Sequence, residues 1–554
     1  MMNIKLPVGR SGFADIRKNH YYFVDKSRLI EELLKTEATQ VTLITRPRRF
    51  GKTLNMSMLS AFFDIRRDSG ELFDGLLVTE NRTLCELWMN QYPVLSLSLK
   101  SVNGLNFASA YARLTAVMAE LYKDHLYLMD SKTLNVYDKE YFDRIAAKKA
   151  SAEEVGDGLL KLTRFLESFY DRPVIVLIDE YDVPLAKASE RGYYTEMLDT
   201  VKSMMQAVKD NEALKFAVIT GCLRVAKESI FTGTNNFVSD TISDTRLDEY
   251  FGFTQTELDR LLSDMQLMEH REEMKEWYDG YHFGNFDVYC PWDVMNHVKN
   301  LLLDPEIRPI GYWKNSSDNA IVRSFIDFAG ETITKKLETL MSGGTVIQRV
   351  REDLTYDYLN SSEENLWSIL YLTGYLTRAK TGTVLPKESL ALTIPNAEVL
   401  EVFESSIKSW FEENARQADR KPLFSALWNG DERQATEEIS RLLRKTISYH
   451  DYREDFYHVF LTGIFAGAGY MVESNREHGE GRSDITVQDY TGDRAAVFEI
   501  KYSKDAEGLG DCCKKALAQI EEKGYARELE NDYAQVICYG IAFFKKRCLV
   551  CRKM

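Results

Sequence analysis

Val41-Thr42-Leu43-Ile44-Thr45-Arg46-Pro47-Arg48-Arg49-Phe50-Gly51-Lys52-Thr53-Leu54 decides how the first half of this chain folds. Val41-Thr42-Leu43-Ile44 is an apolar, β-branched run without polar alternation, the pattern of a strand covered on both faces. A helical run over 54–63 follows, and Gly51-Lys52-Thr53 stands at the join. Strand, tight turn and helix start in that order make a phosphate loop. Backbone N–H groups at the helix start face an anion, a lysine neutralises β/γ-phosphate charge, and a hydroxyl ligates magnesium. Lys52 and Thr53 supply the last two. The usual first glycine is missing: Arg46 stands in its place, so the entry turn must differ. Residues Arg46 to Thr53, with Leu54, form the candidate nucleotide-binding stretch.

Further strand-like runs follow at Pro93-Val94-Leu95-Ser96-Leu97, Val174-Ile175-Val176-Leu177-Ile178 and Phe216-Ala217-Val218-Ile219, separated by longer helical stretches. This is the pattern of an α/β domain, a parallel sheet with helices on both faces. The third run ends in Asp179-Glu180-Tyr181-Asp182. A carboxylate at the end of a buried strand can hold magnesium through water, the part expected of Asp179, and Glu180 can polarise an attacking water. The fourth run ends in Thr220-Gly221-Cys222-Leu223-Arg224. Thr220 is placed to sense a γ-phosphate. Arg224 can stabilise transition-state charge within its own subunit or from a neighbour in a homo-oligomer. For both, an ordinary polar strand end is the alternative.

The chain divides into a phosphate-loop α/β region over 1–250, a mostly helical region over 251–449 and a small α/β unit over 450–554. Helical periodicity marks 257–268 and 432–448 in the middle, broken by aromatic loops such as Trp277-Tyr278-Asp279-Gly280-Tyr281. Those rings could stack bases, but buried packing is the expected role. The last unit opens with a helix over 453–465. Strand-like runs at 470–473, 483–488 and 495–501, a helix over 505–522 and strands over 535–544 and 547–551 follow.

In that unit Gly481-Arg482-Ser483-Asp484 opens one strand and Phe498-Glu499-Ile500-Lys501 closes the next. Paired as an antiparallel hairpin centred between Thr491 and Gly492, they set Asp484 opposite Glu499. Glu499 and Lys501, two apart on one strand, point the same way. Paired acids hold magnesium or manganese, and a neighbouring lysine positions or activates water. A cross-strand ion pair is the structural alternative.

With 554 residues, 44% hydrophobic and 28% charged, the chain is a folded, multidomain protein. No apolar leader and no membrane span is evident, so a cytoplasmic location is expected and no membrane partner. The eight cysteines read as reduced thiols, and Cys548-x-x-Cys551 lacks two well-spaced partners for zinc. A net charge of −15 opposes non-specific polyanion binding, so nucleic acid must be met by local basic patches.

Phe23-Val24-Asp25-Lys26-Ser27, Arg46 to Thr53, Asp179-Glu180-Tyr181-Asp182, the stretch 220–237 (TGCLRVAKESIFTGTNNF) and Tyr250-Phe251-Gly252-Phe253-Thr254 together resemble the bacterial AAA-ATPase-like family. Members typically carry a C-terminal PD-(D/E)XK nuclease-superfamily domain. The likeness continues through 277–283, Leu372-Thr373-Gly374-Tyr375-Leu376 and Ile394-Pro395-Asn396, and it makes Arg46 a normal family feature. It implies that Asp484, Glu499 and Lys501 are the D, E and K of a restriction-endonuclease-like α/β domain, and that Gln519 on the next helix supports the site. Glu454 or Glu477 could add a carboxylate. The function implied is an ATP-binding, ATP-hydrolysing protein controlling a metal-dependent nuclease, on DNA rather than RNA. The alternative is a signalling or scaffold ATPase whose C-terminal domain binds nucleic acid or protein without cleaving it.

Overall fold

A computed structural model describes residues 5–553, apart from 36–38, 226–229, 231–236, 314–321, 323–330, 355–361, 381–384, 387, 418–420, 445–453, 467–469, 475–476, 479–480, 483, 490, 528 and 546. The fold divides into two compact units, one comprising Met1–Asp318 and Thr345–Leu400, the other Asn319–Gly344 and Glu401–Met554.

The first unit holds β1 (Val41–Thr45), β2 (Val94–Ser98), β3 (Val174–Asp179), β4 (Leu214–Gly221), the two-residue β5 (Arg224–Val225) and β6 (Phe237–Asp240). All but β5 form one parallel sheet in the order β2-β3-β4-β1-β6. β1 and β3 are buried along their whole length, as their unbroken apolar runs require. Parallel neighbours need crossovers. The helix Ala152–Tyr170 supplies the one entering β3: a Ser151–Glu154 capping box starts it, and Val155, Leu159, Leu162 and Leu166 make its buried stripe. Pairing Thr45 with Gly221 and Ile178 with Ile219 brings the carboxyl ends of β1, β4 and β3 into line. In open α/β sheets that edge is where ligands bind. β6 was not foreseen, because four residues of mixed exposure carry little period.

The middle is mostly helical, with helices Gln255–Met265, Arg271–Tyr278, Pro291–Leu301, Glu331–Met341 and Glu363–Leu372. Thr254 and Glu257 cap the first reciprocally, and Leu258, Leu261 and Leu262 pack on Tyr278, Val294 and Val298. It starts two residues before the expected 257 because the cap sits at Thr254. The helix expected over 432–448 runs Glu432–Arg444, and 445–448 lies outside the described residues. Periodicity did not announce the strands β7 (Phe253–Thr254), β8 (Tyr281–Phe283), β9 (Phe286–Tyr289), β10 (Val346–Arg349), β11 (Asp353–Leu354), β12 (Thr377–Arg378) and β13 (Ser389–Thr393). They make two small antiparallel sheets, β7-β9-β8 and β10-β13-β12, and a parallel β5-β11 ribbon. Strands of two to five residues are too short to show alternation. Tyr278 and Tyr281 of the aromatic loop are fully buried, so they pack and do not stack on a ligand.

The second unit is built on β14 (Met471–Ser474), β15 (Glu477–His478), β16 (Gly481–Arg482), β17 (Ile485–Asp489), β18 (Arg494–Tyr502), β19 (Gln535–Phe544) and β20 (Arg547–Arg552). The sheet order is β14-β17-β18-β19-β20, with only β18 and β19 parallel. The helix Leu509–Lys523 bridges that parallel pair and meets Ala495 and Val497 through Ile520. On the opposite face Phe498 meets Phe465 of the helix Glu454–Ala466 at 4.7 Å.

Gly280 makes a sharp local demand. Its φ is +96°, and a Cβ there would lie 2.0 Å from the Pro395 carbonyl oxygen. Gly280→Ala should therefore destabilise the first unit by about 1–3 kcal/mol from backbone strain alone, read as a lower urea midpoint at unchanged slope.

Candidate functional site

The loop leaving β1 is shaped by backbone sign changes. Arg49 has φ 74° and Gly51 φ 83°, while Phe50 between them is not left-handed. Such alternation curls successive N–H groups into an anion-binding concavity. Phe50 pins the curl from below, its ring 4.9 Å from Tyr281 and 5.1 Å from Phe283. Gly51 caps the helix Lys52–Phe63, whose first-turn N–H groups have no intrahelical partner. Lys52 is buried inside the curl. Its ammonium donates to the carbonyls of Arg46 (3.0 Å) and Pro47 (2.9 Å), with the Cys222 sulfur at 3.6 Å. Burial pulls the Lys52 pKa down, but Cys222, Glu180, Asp182 and Asp179 together outweigh this and leave it raised. Arg48 and Leu54 are half-buried at the loop and helix start.

Arg46 shows why the first glycine is dispensable. Its guanidinium turns away from the loop, fully buried, and donates to the Asp240 carboxylate at 2.8 Å and to the Asp240 and Leu247 carbonyls at 3.0 and 3.2 Å. The rings of Phe251 and Phe283 lie 5.3 and 5.6 Å away. Its backbone is engaged as well, the N–H donating to the Gly221 carbonyl at 3.1 Å and the carbonyl accepting from Lys52, so Arg46 serves as an anchor of the loop. Nothing in the sequence points to Asp240 or Leu247, because no local pattern marks the partner of a buried charge.

Three expected site residues do converge. Asp179 accepts the Thr53 hydroxyl at 2.8 Å and the Thr220 hydroxyl at 2.6 Å. Desolvation raises the Asp179 pKa, against the pull of those two hydroxyls. One carboxylate with a hydroxyl is a hard-oxygen set of the kind magnesium uses when phosphates and water complete its shell. Among the described residues no group of three or more His, Cys, Asp or Glu side chains could hold a metal alone. Glu180, next to Asp179, is in the left-handed region (φ 56°).

Asp182 closes the acidic motif, and nothing local in the sequence marks its role. Its Oδ2 accepts the backbone N–H groups of Cys222 and Leu223, both at 2.9 Å, and the Tyr181 hydroxyl donates to the Leu223 carbonyl at 2.8 Å. The acidic motif therefore clamps the chain leaving β4. Gly221 lets it approach, since a Cβ there would fall 2.6 Å from the Tyr181 ring. Arg224 lies beyond the clamp in β5, paired with Asp353 of β11, and does not join the Asp179 cluster.

In the second unit the β17–β18 register pairs Ile485 with Phe498 and Asp489 with Arg494, a hairpin centred between Thr491 and Gly492. Asp489 sets the turn, accepting from Thr491 N (3.2 Å), the Thr491 hydroxyl (2.7 Å) and Gly492 N (3.0 Å). Asp484 stands one residue before this ladder, and its carboxylate accepts the Ile500 N–H of β18 at 2.7 Å, next to Glu499 in the chain. His458 holds the Asp484 carbonyl at 2.7 Å. Lys501 reaches Glu499 at 2.8 Å, with the Glu499 side chain 1% exposed. Gln519 does not meet these residues; its amide donates to the Tyr525 hydroxyl at 3.4 Å. Ser483 and the side chains of Glu454 and Glu477 lie outside the described residues. All eight cysteines are free thiols, and the Cys548 sulfur faces Ser440 at 3.4 Å.

Comparison with known proteins finds two family matches. Residues 7–231 match the AAA-ATPase-like family, described as a predicted AAA-ATPase, and residues 452–553 match the PD-(D/E)XK nuclease superfamily. The chain therefore joins an AAA-ATPase-like domain to a C-terminal PD-(D/E)XK nuclease-superfamily domain, an ATPase-and-nuclease architecture. A protein in the vnfD 5' region of Azotobacter chroococcum mcd 1, named as uncharacterized, is 25% identical over 556 residues, covering 98% of this chain and 97% of its own. No solved structure matches the chain. Among the described residues no helix is long and apolar enough to cross a membrane.

Removing Arg46 would leave the buried Asp240 carboxylate with the longer, 3.4 Å contact to Arg246 in place of its 2.8 Å partner. Arg46→Ala should cost about 3–5 kcal/mol, and Arg46→Met with Asp240→Leu should recover most of it, as measured by denaturant unfolding.

Proposed function

We propose that the chain binds and hydrolyses ATP at the phosphate loop and that nucleotide state controls metal-dependent cleavage of nucleic acid, DNA before RNA, by the C-terminal domain. What supports this is that the fold gathers two sets of residues suited to these chemistries, the first from three segments far apart in sequence and the second across one hairpin. They are Thr53, Asp179 and Thr220 beside Lys52 in one unit, and Asp484, Glu499 and Lys501 in the other.

In the first set the loop N–H groups and Lys52 bind the phosphates, Thr53 and Asp179 hold magnesium, Thr220 senses the γ-phosphate, and Glu180 orients the attacking water. Arg224 stabilises the charge that develops, within its subunit or across a homo-oligomer. In the second, Asp484 and Glu499 hold magnesium or manganese, and Lys501 positions the water that attacks the phosphodiester. The metal, when bound, polarises the phosphate. The working division is 1–250 for the ATPase, 251–449 for the region that transmits nucleotide state and 450–554 for cleavage, in a cytoplasmic protein.

The net charge of −15 favours a second reading, a nucleotide-switch scaffold whose C-terminal domain binds nucleic acid or protein without cutting. Magnesium- and manganese-dependent cleavage of single- and double-stranded DNA, with and without ATP, separates the two. Wild type should cut, Asp484→Ala and Glu499→Ala should lose cleavage by at least about a hundredfold, and Lys52→Ala and Glu180→Gln should lose its ATP dependence. Equal activity in wild type and Glu499→Ala sinks the nuclease reading; unimpaired, ATP-responsive cleavage by Lys52→Ala sinks the coupling.

A further inference from the structure

Beside the phosphate loop lies a buried charge group that the proposed chemistry does not use. Arg49 lays its guanidinium 4.4 Å from the centre of the Trp292 ring, and its carbonyl faces the Cys290 thiol at 3.9 Å. Among the described residues its Nη1 is buried without an acceptor. Asp293, in the first turn of the helix Pro291–Leu301, and Glu398, at the start of the helix Ala397–Gln417, are both 0% exposed. Glu398 Oε1 accepts the Trp313 N–H at 2.7 Å. With both groups ionised, neither Asp293 oxygen, nor Glu398 Oε2, would have an N–H or O–H hydrogen-bond donor among the described residues. The two carboxyl groups face each other, with the Cys290 thiol alongside.

Two carboxylates so placed cannot both ionise. Burial, and then the neighbouring Asp293, holds Glu398 well above the usual carboxylate range, so Glu398 keeps its proton and donates it to Asp293. Burial raises Asp293 as well, but Cys290, Glu398 and Arg49 favour its charged form. The pair thus carries one negative charge within electrostatic reach of Arg49. Arg49 also has a left-handed φ of 74°, a conformation that costs a non-glycine residue roughly 1–2 kcal/mol.

We propose that the Asp293–Glu398 pair is a positioning site for the phosphate loop. Its single charge, with the Trp292 ring, holds the Arg49 side chain and so the left-handed turn on which the curl of loop N–H groups depends. The inference rests on the reading that this loop binds ATP. Neither acid touches the nucleotide; both act through Arg49.

The test is the ATP dissociation constant of the full-length chain, by calorimetry with magnesium, in two backgrounds. Asp293→Asn removes the charge and keeps the shape, and should weaken ATP about tenfold. Glu398→Gln keeps a donor toward Asp293 and should stay within about twofold of wild type. In an Arg49→Gly chain the turn needs no anchor, because glycine adopts it freely, so Asp293→Asn should there change affinity less than about twofold. Trp292→Leu, which spares the acids, should behave like Asp293→Asn in both backgrounds and serves if that variant fails to fold. Equal losses with and without the Arg49 side chain, no loss in either, or a Glu398→Gln loss matching that of Asp293→Asn overturns the proposal. A wild-type chain that binds no ATP overturns the nucleotide reading itself, a separate result, and this inference with it.

Discussion

Much of the first unit hangs on the buried carboxylate of Asp179, which receives one hydroxyl from the first turn of the helix after β1 and another from the end of β4. The sheet order β3-β4-β1 makes this a three-strand junction: Asp179 ends β3, Thr220 lies on the strand between, and Thr53 follows β1. A hydrogen bond to a charged group is worth about 1.5–3 kcal/mol, and leaving such a group unsatisfied in the interior costs more. The three chain segments are therefore held in mutual register at the edge where parallel sheets bind ligands. Asp182 and Tyr181 extend the junction by gripping Cys222 and Leu223, so the strand end carrying Asp179 also steers the path toward Arg224.

Arg46 and Asp240 solve the complementary problem of anchoring the loop's other end. A phosphate loop usually relies on glycine where the chain enters the turn. Here a large side chain is tolerated because it leaves the loop and enters a buried ion pair beneath it. The curl is then completed by Arg49 and Gly51, both left-handed. Two arginines three residues apart thus do opposite work, one buried as an anchor and one laid on Trp292.

In the second unit one turn plays the organising part. Asp489 closes the β17–β18 turn through its carboxylate, and that turn sets the register of both strands. A slip of one residue would move Glu499 and Lys501 to the opposite face of the sheet. Instead they share the face of Ala495 and Val497, with Lys501 on Glu499 and the Asp484 carboxylate on the N–H of Ile500 between them.

The unbroken apolar runs announced four of the five strands of the large sheet, and the motifs at their ends announced Thr53, Asp179 and Thr220. The short hairpin loop announced the approach of Asp484 to the strand of Glu499, because a tight turn leaves one centre about which partners can be counted. These are local signals, carried by residues close together in the chain. The two small sheets, Asp240 under Arg46, the clamp of Asp182 and the Asp293–Glu398 pair were not legible. Strands of two to five residues show no period, and Arg46 and Asp240 stand 194 positions apart. A buried charge records its need for a partner in its own identity. Which partner meets that need is decided only when the packed chain excludes water and brings distant segments together.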